Sequence, residues 1–556
     1  MVILRLMKFL KVLVNSLLSS LLFGSLLALL FADLNINLKM TLPLFLQLTL
    51  WLTAVYGTLV LAVSLPAFFI VQFFSGRKIK IALVSPSFLL LSFSLLVFFF
   101  LLFFRANVNY FSSFFDSQLK AELQAQEAVL FSLAVLALVI FFLFRRHRWK
   151  VFFLVVYFSL FFLSLGILIG RRCQASVPPP PSKSLPLFGK RVERKITLIG
   201  MPGLSFDLLI PLTAERKLPN FSWLFDNGSS GRLRSFTPAE SITLNTSLES
   251  GKFPAKHRQV SRFRYRLAKM KDRLEIVPRF MLFKQLARVG FLEILPAHSH
   301  PVTSDIWQIL DANRIPFVRK EWPSPPQPLP PPSGRAEKLW NEILGSSPPP
   351  ADTYLALAKE AFLRDCIAEE QATGEKNALQ PSFTYLELGG FNIVLTYFYK
   401  FRFPEQFGSM DQEQVDRYGP LIDRYYEFYD QVLGKFLTGL KEDELLVVFS
   451  PHGIEPLPLW KRAIESLLGN PMVSAHHEFA PDGVIFFYGK NVGRGKNLEG
   501  LRLVDLAPTL LYYLGLPVGR DMDGIARTDV FERDFIAINP VVYISSYDEI
   551  EIIPPR

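Results

Sequence analysis

The first third of the chain consists of long apolar stretches separated by short charged clusters. Five stretches reach the length of about 20 residues that a helix needs to cross a bilayer. They run over Phe9–Phe31, Phe45–Phe73, Ile81–Phe104, Ala128–Phe144 and Val151–Ile169. We therefore predict an all-α membrane region of five transmembrane helices over residues 1–172. Because further spans follow the first stretch, we do not expect it to be a cleaved signal peptide.

Basic residues are concentrated before the first span and in alternate loops, at residues 77–80 and 145–150. The positive-inside rule assigns such loops to the cytoplasm. It predicts a multi-pass protein of the cell (inner or plasma) membrane, with a cytoplasmic N-terminus and everything after the fifth span outside. Since the spans carry almost no ionisable residues, we favour a plain anchor over a transporter.

Beyond the spans the hydrophobic pattern changes. Residues 173–190 include a run of prolines that predicts a semi-rigid linker. From 191 to 556, short apolar runs alternate with amphipathic helical patterns, which is typical of an α/β domain with a central sheet flanked by helices. The predicted strands are Ile196–Ile199, Pro316–Val318, Phe383–Leu388, Leu445–Phe449 and Val484–Tyr488, and the main predicted helices are Lys217–Asn227, Ser304–Ala312, Gly419–Leu440 and Leu503–Leu514. Proline-dense sequence predicts a loop over about 323–350.

Composition supports this division of the chain. The 556 residues are 50% hydrophobic and have a mean hydropathy of +0.28, which is too apolar for a purely soluble protein. The net charge of +11 lies largely at the ends of the spans, so we attribute it to membrane topology and expect no nucleic-acid partner. Cys173 and Cys366 lie far apart, and we expect neither a disulfide framework nor a metal-ligand pair from them.

Candidate chemistry is concentrated in Ser235–His257, which follows the first predicted strand and the turn Gly200-Met201-Pro202-Gly203. Ligands of open α/β sheets bind at the carboxyl ends of the strands, which Ser241 could face. Serine is equally common as a helix N-cap, and the segment alone leaves both interpretations open.

The run Ser250-Gly251-Lys252-Phe253-Pro254-Ala255-Lys256-His257 resembles the T-G-x-x-P-x-x-H motif of the alkaline phosphatase superfamily, in its type I phosphodiesterase/nucleotide pyrophosphatase (sulfatase-like) branch. In that family a Ser or Thr nucleophile precedes the motif, at the position of Ser241. The resemblance extends in order through Leu218-Pro219-Asn220-Phe221, Trp307-Gln308-Ile309-Leu310, Asp430, Ser450-Pro451-His452-Gly453, Asp505 and Asp521-Met522-Asp523-Gly524. It implies an alkaline phosphatase-like fold and, in the family, phosphoester chemistry that uses two divalent metals, usually zinc.

Carried over residue by residue, the metal ligands are mostly absent. The first aspartate position is Pro202, the central Asp-x-x-x-His corresponds to Asn392 and Thr396, and the aspartate of Ser-Asp-His-Gly is Pro451. Proline offers no ligand atom, and the amide and hydroxyl are neutral. A two-metal mechanism, which needs carboxylates and imidazoles, is therefore not expected.

Two candidate ligands remain, His452 and one of His476 or His477. His452 and His477 are predicted either to hold at most a single divalent metal such as zinc or to line a cleft as ordinary polar residues. Asn392 and Thr396 become candidate ligand-binding positions. Glu240, beside Ser241, is either a replacement carboxylate or a solvated acid.

The leading hypothesis is a membrane-anchored, extracytoplasmic pseudoenzyme that binds an envelope protein or an anionic ligand. The first alternative is an active phosphate- or sulfate-ester hydrolase with unusual metal use. The second is an envelope phospho-group transferase, because the layout of spans followed by an exterior domain is similar to phosphoethanolamine transferases and lipoteichoic acid synthases.

Overall fold

The structure is a computed structural model. It describes residues 2–144 apart from 36–37 and 75–81, short helical pieces between 151 and 166, and residues 193–548 apart from 268–269, 280, 282, 289, 297–301, 323–330, 345–352, 468, 479 and 481. The chain divides into two compact units. The first comprises Met1–Pro180 and Arg258–His300, and the second comprises Pro181–His257 and Pro301–Arg556.

The helices are α1 (Val2–Leu34), α2 (Leu42–Phe74), α3 (Pro86–Tyr110), α4 (Ser117–Phe144), α5 (Phe206–Ala214), α6 (Pro219–Asn227), α7 (Ser241–Ser250), α8 (Pro254–His257), α9 (Phe283–Arg288), α10 (Ile306–Ala312), α11 (Gly334–Leu344), α12 (Thr353–Leu379), α13 (Gly390–Arg402), α14 (Gln412–Tyr418), α15 (Pro420–Thr438), α16 (Leu459–Leu467), α17 (Leu506–Leu514) and α18 (Arg533–Ile538). The strands are β1 (Lys195–Gly200), β2 (Ser229–Arg234), β3 (Phe263–Leu267), β4 (Leu292–Pro296), β5 (Phe317–Lys320), β6 (Phe383–Glu387), β7 (Glu444–His452), β8 (Glu455–Pro456), β9 (Ala475–His476), β10 (Asp482–Tyr488), β11 (Lys496–Arg502), β12 (Val518–Gly519) and β13 (Tyr543–Ile544).

Helices α1 to α4 of the first unit are each long and apolar enough to cross a membrane. Small residues allow α1 and α2 to approach closely, as is common between membrane helices. Ser20 Oγ donates to the Gly57 carbonyl at 3.0 Å, and a Cβ on Gly57 would meet the Ser20 Cβ at 2.8 Å. Four of the five predicted spans are therefore present. The fifth, Val151–Ile169, falls partly outside the described residues, and five spans are not shown.

Residues 258–300 pack with the membrane helices, within the first unit. Strands β3 and β4 form an antiparallel pair in this segment. Asn35, just after α1, hydrogen-bonds the backbone of this segment. Its Oδ1 accepts from the Glu275 and Ile276 amides at 2.8 and 2.9 Å, and its Nδ2 donates to the Ile276 carbonyl at 2.8 Å. Asn107 of α3 accepts from the Arg279 amide at 2.7 Å. The sequence pattern predicts these residues as part of the α/β domain over 191–556, which the packing of this segment does not follow.

The second unit is built on a seven-stranded mixed sheet of order β11-β2-β10-β7-β1-β6-β5. Its centre is parallel, with β1 between β6 and β7, and β10 runs antiparallel to β7 and β2. Alternate side chains of β1 enter two separate cores: Ile199 joins one, whereas Ile196 and Leu198 join the other. A sheet covered on both faces explains why the central strands are continuously apolar.

The structure confirms a C-terminal α/β domain, and all five predicted strands lie in its sheet. The two strands that were missed, β2 and β11, have the polar sequences SSGRLR and KNLEGLR. The loop predicted over about 323–350 contains α11, whose one face buries Ala336 and Trp340. The prediction failed here because the flanking prolines obscured an amphipathic run of eleven residues.

Candidate functional site

The candidate site lies at the carboxyl end of the central strands. The turn after β1 lies beside β7 and the first turn of α13: the Gly203 amide donates to Ser450 Oγ at 3.0 Å, and a Cβ on Gly203 would lie 3.6 Å from Asn392 Oδ1. Gly203 has φ +97, a conformation that suits glycine. The turn that contains Pro202 therefore lies beside Ser450, the residue before Pro451, and beside Asn392.

Ser241 is the first residue of α7. The N-cap is Glu240, whose side chain makes no capping hydrogen bond, so Ser241 is not the N-cap that the alternative interpretation proposed. Helix α7 ends at Gly251, in the left-handed conformation with φ +68. Further along this helix, Asn245 Nδ2 lies 3.5 Å from the Glu387 carboxylate at the end of β6.

The C-terminal motif Asp521–Gly524 holds the segment after α7 in place. The amides of Asp523 and Gly524 donate to the Gly251 carbonyl at 2.9 and 3.1 Å, and the Asp523 carboxylate accepts from the Phe253 amide at 2.8 Å. The buried Lys252 ammonium pairs with Asp521 and Asp548. This motif therefore acts as a scaffold for the Ser241 segment.

The His257 that ends the motif is structural. Its Nε2 lies 2.8 Å from Ser247 Oγ, both residues are fully buried, and burial lowers the pKa of His257 to about 3. This buried serine–histidine contact joins α7 to α8.

His452 and His477 stack on each other beside this edge. Their ring centroids are 4.5 Å apart and their planes are inclined by 18°. His452 Nδ1 lies 3.0 Å from the Gly453 carbonyl oxygen, and His477 hydrogen-bonds the backbone of Ala239, two residues before Ser241. Burial lowers the pKa of His452 to about 3 and also lowers the pKa of His477. At neutral pH the site therefore holds a pair of uncharged imidazoles.

The donors at this edge do not fit a pair of zinc ions. Imidazole lone pairs lie in the ring plane, so two nearly parallel stacked rings cannot both direct a nitrogen at one ion in the tetrahedral arrangement that zinc prefers. The Thr396 hydroxyl donates to the Asn392 carbonyl at 2.8 Å within α13. Asn392 Oδ1 is buried without a hydrogen-bond partner, but it is a neutral oxygen. Among the described residues, no three His, Cys, Asp or Glu side chains are grouped as a metal site needs.

Sequence reasoning missed a buried acid behind the site. Asp365 of α12 accepts from the Gly390 amide at 3.0 Å and from the Tyr425 hydroxyl at 2.7 Å, so it holds the first residue of α13, the helix that carries Asn392 and Thr396. Burial raises the pKa of Asp365 to about 7. No motif marks this residue, and its role is visible only because α15 brings two tyrosines against it.

No protein-family model matches the sequence, and no curated protein matches it. Among solved structures, an inactive variant of murine ectonucleotide pyrophosphatase/phosphodiesterase 5 in complex with AMP is similar over 61% of this chain and 100% of its own, with 12% identity and a TM-score of 0.37. A phosphonate monoester hydrolase from Silicibacter pomeroyi is similar over 61% of this chain and 76% of its own, with 13% identity and a TM-score of 0.35. Human ectonucleotide pyrophosphatase/phosphodiesterase 5 gives 12% identity over 61% of this chain and 100% of its own, and a TM-score of 0.35. TM-scores this low assign no function.

Proposed function

We propose that this chain is a membrane-anchored, extracytoplasmic protein with an alkaline phosphatase-like domain that has lost its two-metal site and binds an anionic ligand or an envelope partner. The observation that carries the proposal is the geometry of the ligand positions. Pro202 and Pro451 stand where carboxylates would bind metal, and the remaining imidazoles, His452 and His477, stack instead of converging.

The neutral imidazoles at this edge favour binding over phosphoryl transfer. A two-metal mechanism needs cations that activate the nucleophile and neutralise the phosphoryl oxygens. Ser241 remains at the start of α7, but the imidazoles of His452 and His477 are neutral at pH 7. What remains is a polar edge of amide, hydroxyl and imidazole groups together with the Glu387 carboxylate.

Elemental analysis of the purified chain is the direct test. We expect fewer than about one zinc per chain, because tight zinc sites use three or four protein ligands. Two zinc ions per chain would contradict the proposal. The matched gain-of-ligand variant is the set Pro202→Asp, Asn392→Asp, Thr396→His and Pro451→Asp, which should raise zinc occupancy. Hydrolysis of a nitrophenyl phosphodiester by the unmodified chain, abolished in Ser241→Ala, would favour the hydrolase alternative.

The domain order proposed here is a membrane region over 1–172, a linker over 173–190 and an α/β domain over 191–556, with residues 258–300 returning to the membrane helices. Asn35 and Asn107, which bind this returning segment, lie at the two helix ends that the positive-inside rule assigns to the exterior. Protease treatment of intact cells tests this sidedness. Protection of the C-terminal half from external protease would contradict it.

A further inference from the structure

Helix α16 is oriented with its apolar face outward. It lies in the chain between β7, which ends at His452, and β9, which ends at His476. At 3.6 residues per turn, Leu459, Trp460, Ile464 and Leu467 fall on one side of the helix with Ala463. All of the helix is described, and none of its residues is buried. The side chains of Leu459 and Leu467 are 76% and 86% exposed.

The polar side of α16 faces the protein. Lys461 forms an ion pair with Glu478, and both side chains are largely covered. Arg462 donates to the Gln406 carbonyl at 3.3 and 3.2 Å, and its guanidinium lies 4.4 Å from the centre of the Phe407 ring. A helix on a protein in water normally buries its apolar face. In α16 this orientation is reversed, so the apolar face points away from the domain.

We propose that α16 is an interfacial helix that inserts its apolar face into the surface of a lipid bilayer. The bilayer is the occupant that the chain itself favours, because helices α1 to α4 are apolar and long enough to span one and so tie this domain to an apolar phase. An exposed face of leucine, isoleucine and tryptophan with neighbouring lysine and arginine is the composition of helices that lie in the headgroup region.

This inference does not depend on the proposed function. Since only the two-residue strand β8 separates α16 from β7, the strand that ends at His452, its insertion would hold the carboxyl edge of the sheet at the membrane surface. That placement would be the same for a binding protein and for an enzyme.

The test uses the full chain in nanodiscs of phosphatidylcholine and phosphatidylglycerol, with or without brominated acyl chains. Leu467→Cys, in a Cys173→Ser background, is labelled with a dye whose emission depends on polarity. Cys366 is buried and burial raises the pKa of its thiol, so it should not react. Leu379→Cys is the matched control, since Leu379 is 66% exposed and ends α12 just before β6 begins, at the opposite edge of the sheet.

We expect the dye at position 467 to shift to shorter wavelength and to be quenched by the brominated lipid, whereas the dye at 379 is unaffected. Adding Leu459→Gln, a change at an exposed position, should reduce the quenching without changing the melting temperature. Equal, water-like emission from both dyes in nanodiscs would overturn the proposal. Energy transfer between labelled chains, with no quenching by lipid, would show instead that a second copy covers this face.

Discussion

Removal of the Lys252 ammonium should destabilise the α/β domain far more than removal of the neighbouring Lys256 ammonium. Both lysines form ion pairs with carboxylates of the same C-terminal motif. The Lys252 side chain is only 3% exposed and bridges Asp521 and Asp548, the latter at 2.5 Å. The Lys256 side chain is 46% exposed and pairs with Asp523 at 2.6 Å. The two sites therefore compare a buried with an exposed ion pair.

The expected magnitude follows from burial. Removing one partner of a buried ion pair costs about 3–5 kcal/mol, because the other charge is left without compensation. In Lys252→Met the charges left behind belong to Asp521 and Asp548, which are 30% and 15% exposed, so water reaches them and the lower end of the range applies. Lys256→Met should cost about 0–1 kcal/mol, as is usual for exposed pairs.

The assay is thermal unfolding of the purified full chain, followed by intrinsic fluorescence. For a domain of this size, 1 kcal/mol corresponds to roughly 1–2 °C in melting temperature, so Lys252→Met should melt about 3–6 °C lower and Lys256→Met within about 2 °C of the wild type. The double variant Asp521→Asn with Asp548→Asn leaves the buried ammonium itself uncompensated and should cost more than Lys252→Met. Equal melting temperatures for the two lysine variants would refute the assignment of Lys252 as the anchor of the Ser241 segment.

Three further predictions concern pH and the membrane unit. Burial holds the pKa of His452 at about 3, so its neutral form stabilises the fold fully above the ordinary pKa of about 6.5, and this stabilisation is lost as the pH falls toward 3. His452→Gln should therefore weaken the fall in melting temperature between about pH 6.5 and 3, and an unchanged profile would count against a buried neutral imidazole. Burial raises the pKa of Asp365 to about 7, so the native state holds a proton that the unfolded chain releases, and stability should decrease from about pH 4 to 7. Asp365→Asn should remove this decrease, and melting curves that keep it would refute the raised pKa of Asp365. Asn35→Ala removes three hydrogen bonds to residues 275–276 and should speed proteolysis within 258–300. The control Asn15→Ala removes hydrogen bonds to residues 82–85 and should leave that cleavage unchanged. Equal cleavage in both variants would contradict the role of Asn35.

The central sheet could be predicted because its strands carry their own signal. Strand β7 is buried along all nine residues and β6 along all five, so each appears in the sequence as an apolar run. The edge strand β11 and its neighbour β2 carry no such run. In β2 there is room only for glycine at position 231, since a Cβ on Gly231 would meet the Leu498 carbonyl oxygen of β11 at 2.2 Å. That requirement exists only once β11 has paired, so no local pattern predicts it.

Motif spacing predicts a position for the site, but not its internal geometry. Motif spacing placed Ser241, Asn392 and His452 at the same edge because parallel strands end together. The stacking of His452 on His477 depends on the path of the chain through α16 and back, which no spacing rule fixes. The returning segment 258–300 was also missed, since its hydrogen bonds to Asn35 join residues that are 240 or more apart in sequence.

Two aspartates in the motifs that resemble the family accept hydrogen bonds from backbone amides. Asp430 accepts from the Asn220 and Phe221 amides at 3.2 and 2.8 Å, and Asp505 accepts from the Ile525 amide at 3.0 Å. Each of these carboxylates is neutralised by donors of the protein itself. At two positions that the resemblance assigns to metal-binding aspartates, the chain has Pro202 and Pro451 instead. Proline carries no charge, so neither of these two positions needs a cation to compensate for it.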